Sequence, residues 1–280
     1  MSGEKDIVIR HFDGSLPEDQ SGSGADTMNV AIIAMESKGK NPRHAKIVEL
    51  AIVLVEVERE SGKFLNVSDA KQWFQDPEED NPFTEAFSLK TGITAEMVQG
   101  QSIDSQAFED LAHSAEVIIG FNAGFIRPIL QQQFPSLNES VFACVRNQID
   151  WSSKGHESRS LFHLTRDHLW YCDEKRTMEQ CGTLIKLLTQ ETNLKGEPAA
   201  YLKELIDRAQ EPLITIEARV DMNQKHLMKK ERFQWDNRER IYIRVMGTST
   251  LERVRNSLDA RGFTGELIER DRLPASDRFK

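Results

Sequence analysis

From Met28 onward, apolar and polar positions fall into a regular succession of elements. "MNVAIIA" is a continuous apolar run that ends in a short polar turn carrying Glu36. It reads as a strand buried on both faces. "IVELAIVLVEVE" (47–58) predicts a second strand, and "RESGK" turns the chain into a third, "FLNVS". "SQAFEDLAHSA" (105–115) places Phe108, Leu111 and Ala112 at helical spacing. "EVIIGF" predicts a short strand, "FIRPILQQQF" a helix and "VFACV" (141–145) another strand. "SRSLFHLTRDHLW" and "TMEQCGTLIKLLTQ" read as helices, and "YLKELIDRAQ" as a bridging helix. Strands come first and then alternate with helices, which predicts an α/β layered fold.

After Pro212 a smaller pattern begins. Its strand "LITIEARV", helix "NQKHLMKKE", strands around "FQWDNRERIYIRV", helix "TLERVRNSLDARG" and strand "GELIER" predict a β-α-β-α-β module. In the first 27 residues only "DIVIRHF" (6–12) is apolar, and "LPEDQSGSGADT" after it has linker composition. The expected organisation is a flexible tail over 1–27, a large domain over 28–195, and a helix with a small α+β module over 196–280. The apolar piece of the tail is expected to dock either on its own domain or on a partner.

Charge sharpens this division. The 280 residues hold 36 Lys and Arg against 45 Asp and Glu, for a net charge of −9. Residues 211–280 hold 15 against 12, which leaves 21 against 33 for the rest. The large domain is acidic and repels phosphate unless metal or a local basic patch intervenes. No apolar run is long enough to span a bilayer, and the N-terminus has no basic-then-apolar signal pattern. Cys144, Cys172 and Cys181 show no metal-type spacing, and their odd number argues against a disulfide framework. The expectation is a cytoplasmic protein with reduced thiols and no membrane partner.

Several stretches, in order, resemble motifs of the DEDDh 3′–5′ exonucleases, the superfamily of the polymerase III epsilon proofreading subunit. "AIIAMESKG" (31–39) sits where that family carries an Asp-x-Glu pair. "SLKTGITAEMVQGQSID" (88–104), "IIGFNAGFIRPIL" (118–130) and "WYCDEKRTMEQCGTLIKLL" (170–188) are similar to its later stretches, as is "LMKKERFQWDNRERIYIRV" to a segment appended in one subgroup. The resemblance implies an RNase H-like mixed sheet flanked by helices. It also implies two Mg2+ or Mn2+ ions held by carboxylates, with a histidine as general base.

The residues needed for that chemistry are mostly missing. The first acidic position is Ala34; the second, Glu36, is retained. The second-motif aspartate falls on Ile126, the histidine on Lys175 beside Arg176, and the final aspartate on Gln180 beside Cys181. A shift of register to Glu179 would turn the side chain about 100° away on a helix. The resemblance therefore implies a pseudo-enzyme that needs no metal cofactor.

Three functions stay open. One is a regulatory or inhibitory module whose acidic surface binds a protein of nucleic-acid metabolism. Another is a non-catalytic DNA- or RNA-binding protein, with Lys175, Arg176, Lys229, Lys230, Arg232 and Trp235 as candidate contacts. The third is an exonuclease with a divergent site. A homodimer is compatible with each.

Overall fold

In a computed structural model, residues 8–18, 26–77, 83–173 and 175–280 are described, save the side chain of Met222. The chain divides into two units. One runs to Asp207 and takes in Phe279 and Lys280; the other is Arg208–Arg278. The border expected at 195/196 thus lies at 207/208. Residues 201–207 of the bridging helix go with the first unit, where the buried Tyr201 packs against Trp151 with ring centroids 5.0 Å apart.

The first unit begins with β1 (Arg10–His11), β2 (Thr27–Lys38), β3 (Lys46–Glu58) and β4 (Phe64–Phe74). Three helices follow: α1 (Glu85–Thr91), α2 (Ala95–Val98) and α3 (Ser105–His113). Then come β5 (Val117–Gly120), α4 (Ala123–Gln133), β6 (Phe142–Cys144), α5 (Val145–Gln148), α6 (Leu161–Asp167), β7 (Trp170–Tyr171), α7 (Thr177–Leu188) and α8 (Tyr201–Gln210). Five strands form one mixed sheet in the order β4-β3-β2-β5-β6. The first three are antiparallel, and β2, β5 and β6 run parallel. This is the mixed sheet flanked by helices that the sequence predicts.

Strand alternation sorts the two faces of this sheet. Ala31, Ile33 and Met35 of β2, with Leu50, Ile52 and Leu54 of β3, pack with Phe108 of α3 and Ile129 and Leu130 of α4. The opposite face of β2, with Ile32, Ala34 and Glu36, lies under α7, where the buried Cys181 Sγ donates to the Ile32 carbonyl at 3.6 Å. Helix starts carry their expected side-chain caps. The Phe87 amide donates to Thr84 Oγ1, and the Ala107 amide to Asp104 Oδ1 at 3.0 Å.

Three expectations change. Glu36 does not lie in a turn: β2 continues to Lys38, with a register shift after Glu36. The helix expected over 158–170 stops at Asp167, because Leu169 takes φ 64 and Trp170–Tyr171 form β7. Of the tail expected over 1–27, the described part of the apolar piece takes the first of its two expected docking places, on its own domain, and Thr27 already belongs to β2. Residues 1–7 and 19–25 lie outside the described residues. Arg10–His11, however, pair in parallel with β7 of their own chain; the Arg10 amide donates to the Leu169 carbonyl at 3.0 Å, and the Phe12 amide to the Tyr171 carbonyl at 2.7 Å. The Phe12 ring meets Trp170 edge-on at 5.6 Å, under the Lys186 ammonium at 3.8 Å. Two glycines permit this approach. Gly14 takes φ +77, and a Cβ on Gly182 would lie 2.1 Å from the Gly14 carbonyl oxygen.

The second unit comprises β8 (Leu213–Arg219), α9 (Lys225–Lys230), β9 (Gln234–Asp236), β10 (Ile241–Gly247), α10 (Thr248–Asp259) and β11 (Glu266–Leu273). Its antiparallel sheet has the order β11-β8-β10-β9. Ile214, Ile216 and Ala218 face Leu227 and Met228 of α9 and Val254 and Leu258 of α10. The strands expected around "FQWDNRERIYIRV" at the middle of the β-α-β-α-β series form a hairpin. Asp236 Oδ1 accepts the Arg238 and Glu239 amides at 2.7 and 3.0 Å, and Arg240 takes φ 57.

Two measurements follow from the first unit. Gly182→Ala should release the N-terminal segment. The Arg10 and Phe12 amides should then exchange hydrogen at least about tenfold faster, while β2 and β3 keep their protection. Unchanged exchange would place the segment elsewhere in solution.

The second concerns pH. The buried His156 contacts Asp167 Oδ2 through Nδ1 at 2.8 Å, and the Tyr201 hydroxyl lies 3.4 Å from His168 Nε2. Burial, then the charge of His156, pushes His168 down to about 4 against the pull of Asp167. The unfolded chain takes up a proton near 6.5 that the fold refuses. Stability should therefore be complete above about pH 6.5 and fall as pH drops toward 4. His168→Asn should flatten that slope in urea denaturation series at the two ends of the range.

Candidate functional site

The antiparallel register of β2 and β3 pairs Ala34 with Ala51 and Glu36 with Glu49. Directly opposed residues share a face, so the two carboxylates lie side by side under α7. Glu49 is fully buried. Like charges so placed repel, and the surrounding side chains answer that repulsion one by one. Gln180 of α7 donates its amide to Glu36 Oε1 at 3.0 Å. The Gln72 amide of β4 donates to Glu49 Oε1. Arg176, at the start of α7, sets Nη1 3.6 Å from Glu49 Oε2 and donates from Nη2 to the Gly92 carbonyl at 2.7 Å. Its guanidinium also lies 5.9 Å from the Phe74 ring centroid. Burial pushes the Glu49 carboxyl above its ordinary range. Arg176, the Thr177 amide and Gln72 pull it back in part, and Glu36 adds to the rise.

The other positions singled out in the sequence have surroundings of their own. Ala34 is buried and offers no ligand atom. Ile126 is 7% exposed and belongs to the core cluster; its Cδ1 lies 3.0 Å from where a Cβ on Gly120 would stand. Phe125 and Phe279 pack against the same cluster. Lys175 is exposed, and its amide and that of Arg176 donate to Glu179 Oε2 at 2.8 and 3.2 Å. Glu179 thus caps the start of α7. Asp173 is exposed and lies 3.7 Å from His11, and Glu174 lies outside the described residues.

Arg176 differs from its place among the candidate nucleic-acid contacts. Its side chain is only 24% exposed and is turned onto Glu49 and Gly92. The sequence reading missed Glu49 altogether. The available signal was a lone carboxylate inside "IVELAIVLV", on the strand expected to pair with the one carrying Glu36.

The remaining candidates belong to the second unit. Lys229 and Lys230 are exposed on α9, Arg232 is exposed just beyond it, and Trp235 on β9 is 45% exposed. Lys229 and Trp235 line one depression, Arg232 and Trp235 another, and Lys230 lines neither.

Two divalent cations need several hard oxygen ligands free to turn toward them. Around Glu36 the donor set is one carboxylate bonded to an amide, one buried carboxylate facing a guanidinium, and a glutamine whose amide points at Glu36. Among the described residues no three His, Cys, Asp or Glu side chains are grouped so as to hold a metal ion. The residues present do not fit a two-metal centre.

Solved structures with a similar fold carry a consistent label. The chain is similar to the nuclease domain of 3′hExo, a DEDDh family member, bound to rAMP, at 15% identity over 60% of this chain and 92% of that one, with a TM-score of 0.45. It is similar to a 3′-exonuclease in a structure of 3′-end specific recognition of a histone mRNA stem-loop, at 14% identity over 57% and 80%, TM-score 0.45. It is also similar to the zinc-bound E. coli ExoI–ssDNA complex, at 13% identity over 85% and 68%, TM-score 0.49. These structural neighbours are 3′-exonucleases. No protein-family model matches the chain, and no curated protein sequence does. The likenesses are distant, and the state of the site rests on its own side chains.

Burial of Ile126 sets a test of the position that the resemblance aligns with the second-motif aspartate. Ile126→Asp should destabilise the first unit by about 2–5 kcal/mol at neutral pH, read by chemical denaturation, because a carboxylate would enter an apolar cluster. A change near zero would mean that this position opens to water and can hold a charged ligand.

Proposed function

We propose that this protein is a non-catalytic, exonuclease-like interaction module. On this reading its acidic first unit binds and regulates a protein of nucleic-acid metabolism by occupying a basic groove on that partner. One observation carries the loss of catalysis: Glu36, the one retained ligand position, is bonded to Gln180, which stands where the fourth carboxylate belongs. In-line hydrolysis of a phosphodiester needs charge and a nucleophile placed to a fraction of an ångström, and losing one positioned group costs orders of magnitude in rate. Here Ala34, Ile126 and Lys175 leave no ligand or base of the expected kind. The charge of 21 Lys and Arg against 33 Asp and Glu outside residues 211–280 supports a basic partner over a phosphate-bearing one for this unit.

The test pairs calorimetric titration with Mn2+ and Mg2+ against degradation of a 3′-labelled single strand by the same sample. The expected outcome is no saturable heat and no released nucleotide. Metal-dependent shortening of the 3′ end, abolished by Glu36→Ala, would overturn the reading. A pull-down with the intact protein then identifies the partner, whose binding should weaken as salt screens the acidic surface.

A further inference from the structure

The second unit holds an exposed aromatic in a positive setting. Trp235 lies on β9, the edge strand of its sheet, and is 45% exposed, whereas Trp151 and Trp170 are 1% and 5% exposed. Its ring stands at 61° to Tyr242, with centroids 4.9 Å apart, so its orientation is set by a buried neighbour. A depression of about 530 Å3 on one side is lined by Lys225, His226 and Lys229. A second, of about 420 Å3, is lined by Arg232, Gln234 and Val245. We propose that this corner binds a single strand of nucleic acid, stacking a base on Trp235 and setting phosphates against Lys225, Lys229 and Arg232.

Local charge favours that occupant. Residues 225–240 carry Lys225, Lys229, Lys230, Arg232, Arg238 and Arg240 against three acids, Glu231, Asp236 and Glu239. Glu231 is buried, with Arg261 Nη1 at 2.9 Å and Ser257 Oγ at 2.6 Å on Oε1. Glu239 is paired with Arg270, and Asp236 Oδ1 accepts two backbone amides. Asp236 keeps its charge and lines the second depression together with Arg232 and Arg244, so the balance around Trp235 stays positive through Lys225, Lys229, Arg232 and Arg244.

Arg232 is also held in a conformation that suits glycine. It takes φ 59 just past the end of α9, where its amide donates to the Lys229 carbonyl at 3.1 Å. A glycine would make the same turn with less strain, so the guanidinium is kept at a conformational cost. Stacking on a ring face accepts any base, and charge on phosphate does not read the sugar, so DNA and RNA bind alike.

The proposal concerns the second unit and does not rest on the first unit's inability to cut. The experiment uses the full chain with EDTA present, so that degradation and binding are read apart. Oligo-dT and oligo-U of about 15 nucleotides, within the usual site size, are titrated by fluorescence anisotropy at several salt concentrations. The expected result is binding of both within a few-fold, with a log–log salt slope of about −2 for three phosphate contacts. Trp235→Ala should weaken binding about 10- to 100-fold, and Trp235→Phe should restore most of it. Arg232→Gly should lower the slope by about 0.7 without lowering stability. That variant decides the matter if Trp235→Ala does not fold. No binding at low salt, unchanged affinity in a folded Trp235→Ala, or equal competition by polyglutamate would each overturn the proposal.

Discussion

Glu36 and Glu49 face each other across β2 and β3, and much of the first unit's arrangement answers that pairing. Opposed like charges on a sheet are unfavourable, and burial multiplies the penalty. In a metal-dependent nuclease divalent cations would absorb the charge of neighbouring carboxylates. Here the chain supplies its own donors from three directions: Gln180 of α7, Gln72 of β4, and Arg176, whose guanidinium also reaches the carbonyl of Gly92 after α1. Helix, sheet and the α1–α2 turn are fastened at one place. The polar pair is thus a structural tie, while Ile126 belongs to the apolar cluster that holds Ile33 on the other face of β2.

How much of this could be read in the sequence varied with how local its cause was. β2 and β3 were legible because strands buried on both faces leave long unbroken apolar runs. That Ala34 and Ile126 offer no ligand atom was equally plain, since neither side chain has a donor atom. Glu49 was not, because its meaning lies in a register between two strands and no spacing within one segment encodes it. Arg176 shows the same limit: as a side chain it suits phosphate, but a buried carboxylate and a carbonyl from residue 92 turn it inward. Phe279 packs on the cluster that holds Ile126 from 153 positions further along, beyond the reach of any periodicity.

In the second unit the sequence left open how the strands around one stretch connect. "FQWDNRERIYIRV" has β-forming residues at both ends and a polar middle, a pattern shared by a bulged strand and a tight hairpin. The amide hydrogen bonds to Asp236 and the left-handed Arg240 decide for the hairpin. That choice places Trp235 on the sheet's edge, beside α9, and so gives it an exposed flank.

The contact of Gly14 with Gly182 gives the N-terminal segment a role as a cover. Residues 10–12 cover one edge of β7, which among the described residues pairs with β1 alone. A chain cut just after residue 18 would present Trp170 and Tyr171 with open backbone donors and acceptors, the template that edge strands offer to other molecules. Proteolysis there would change the protein's solubility and self-association before it touched the five-stranded sheet. The short β1 strand keeps those backbone groups paired within the chain.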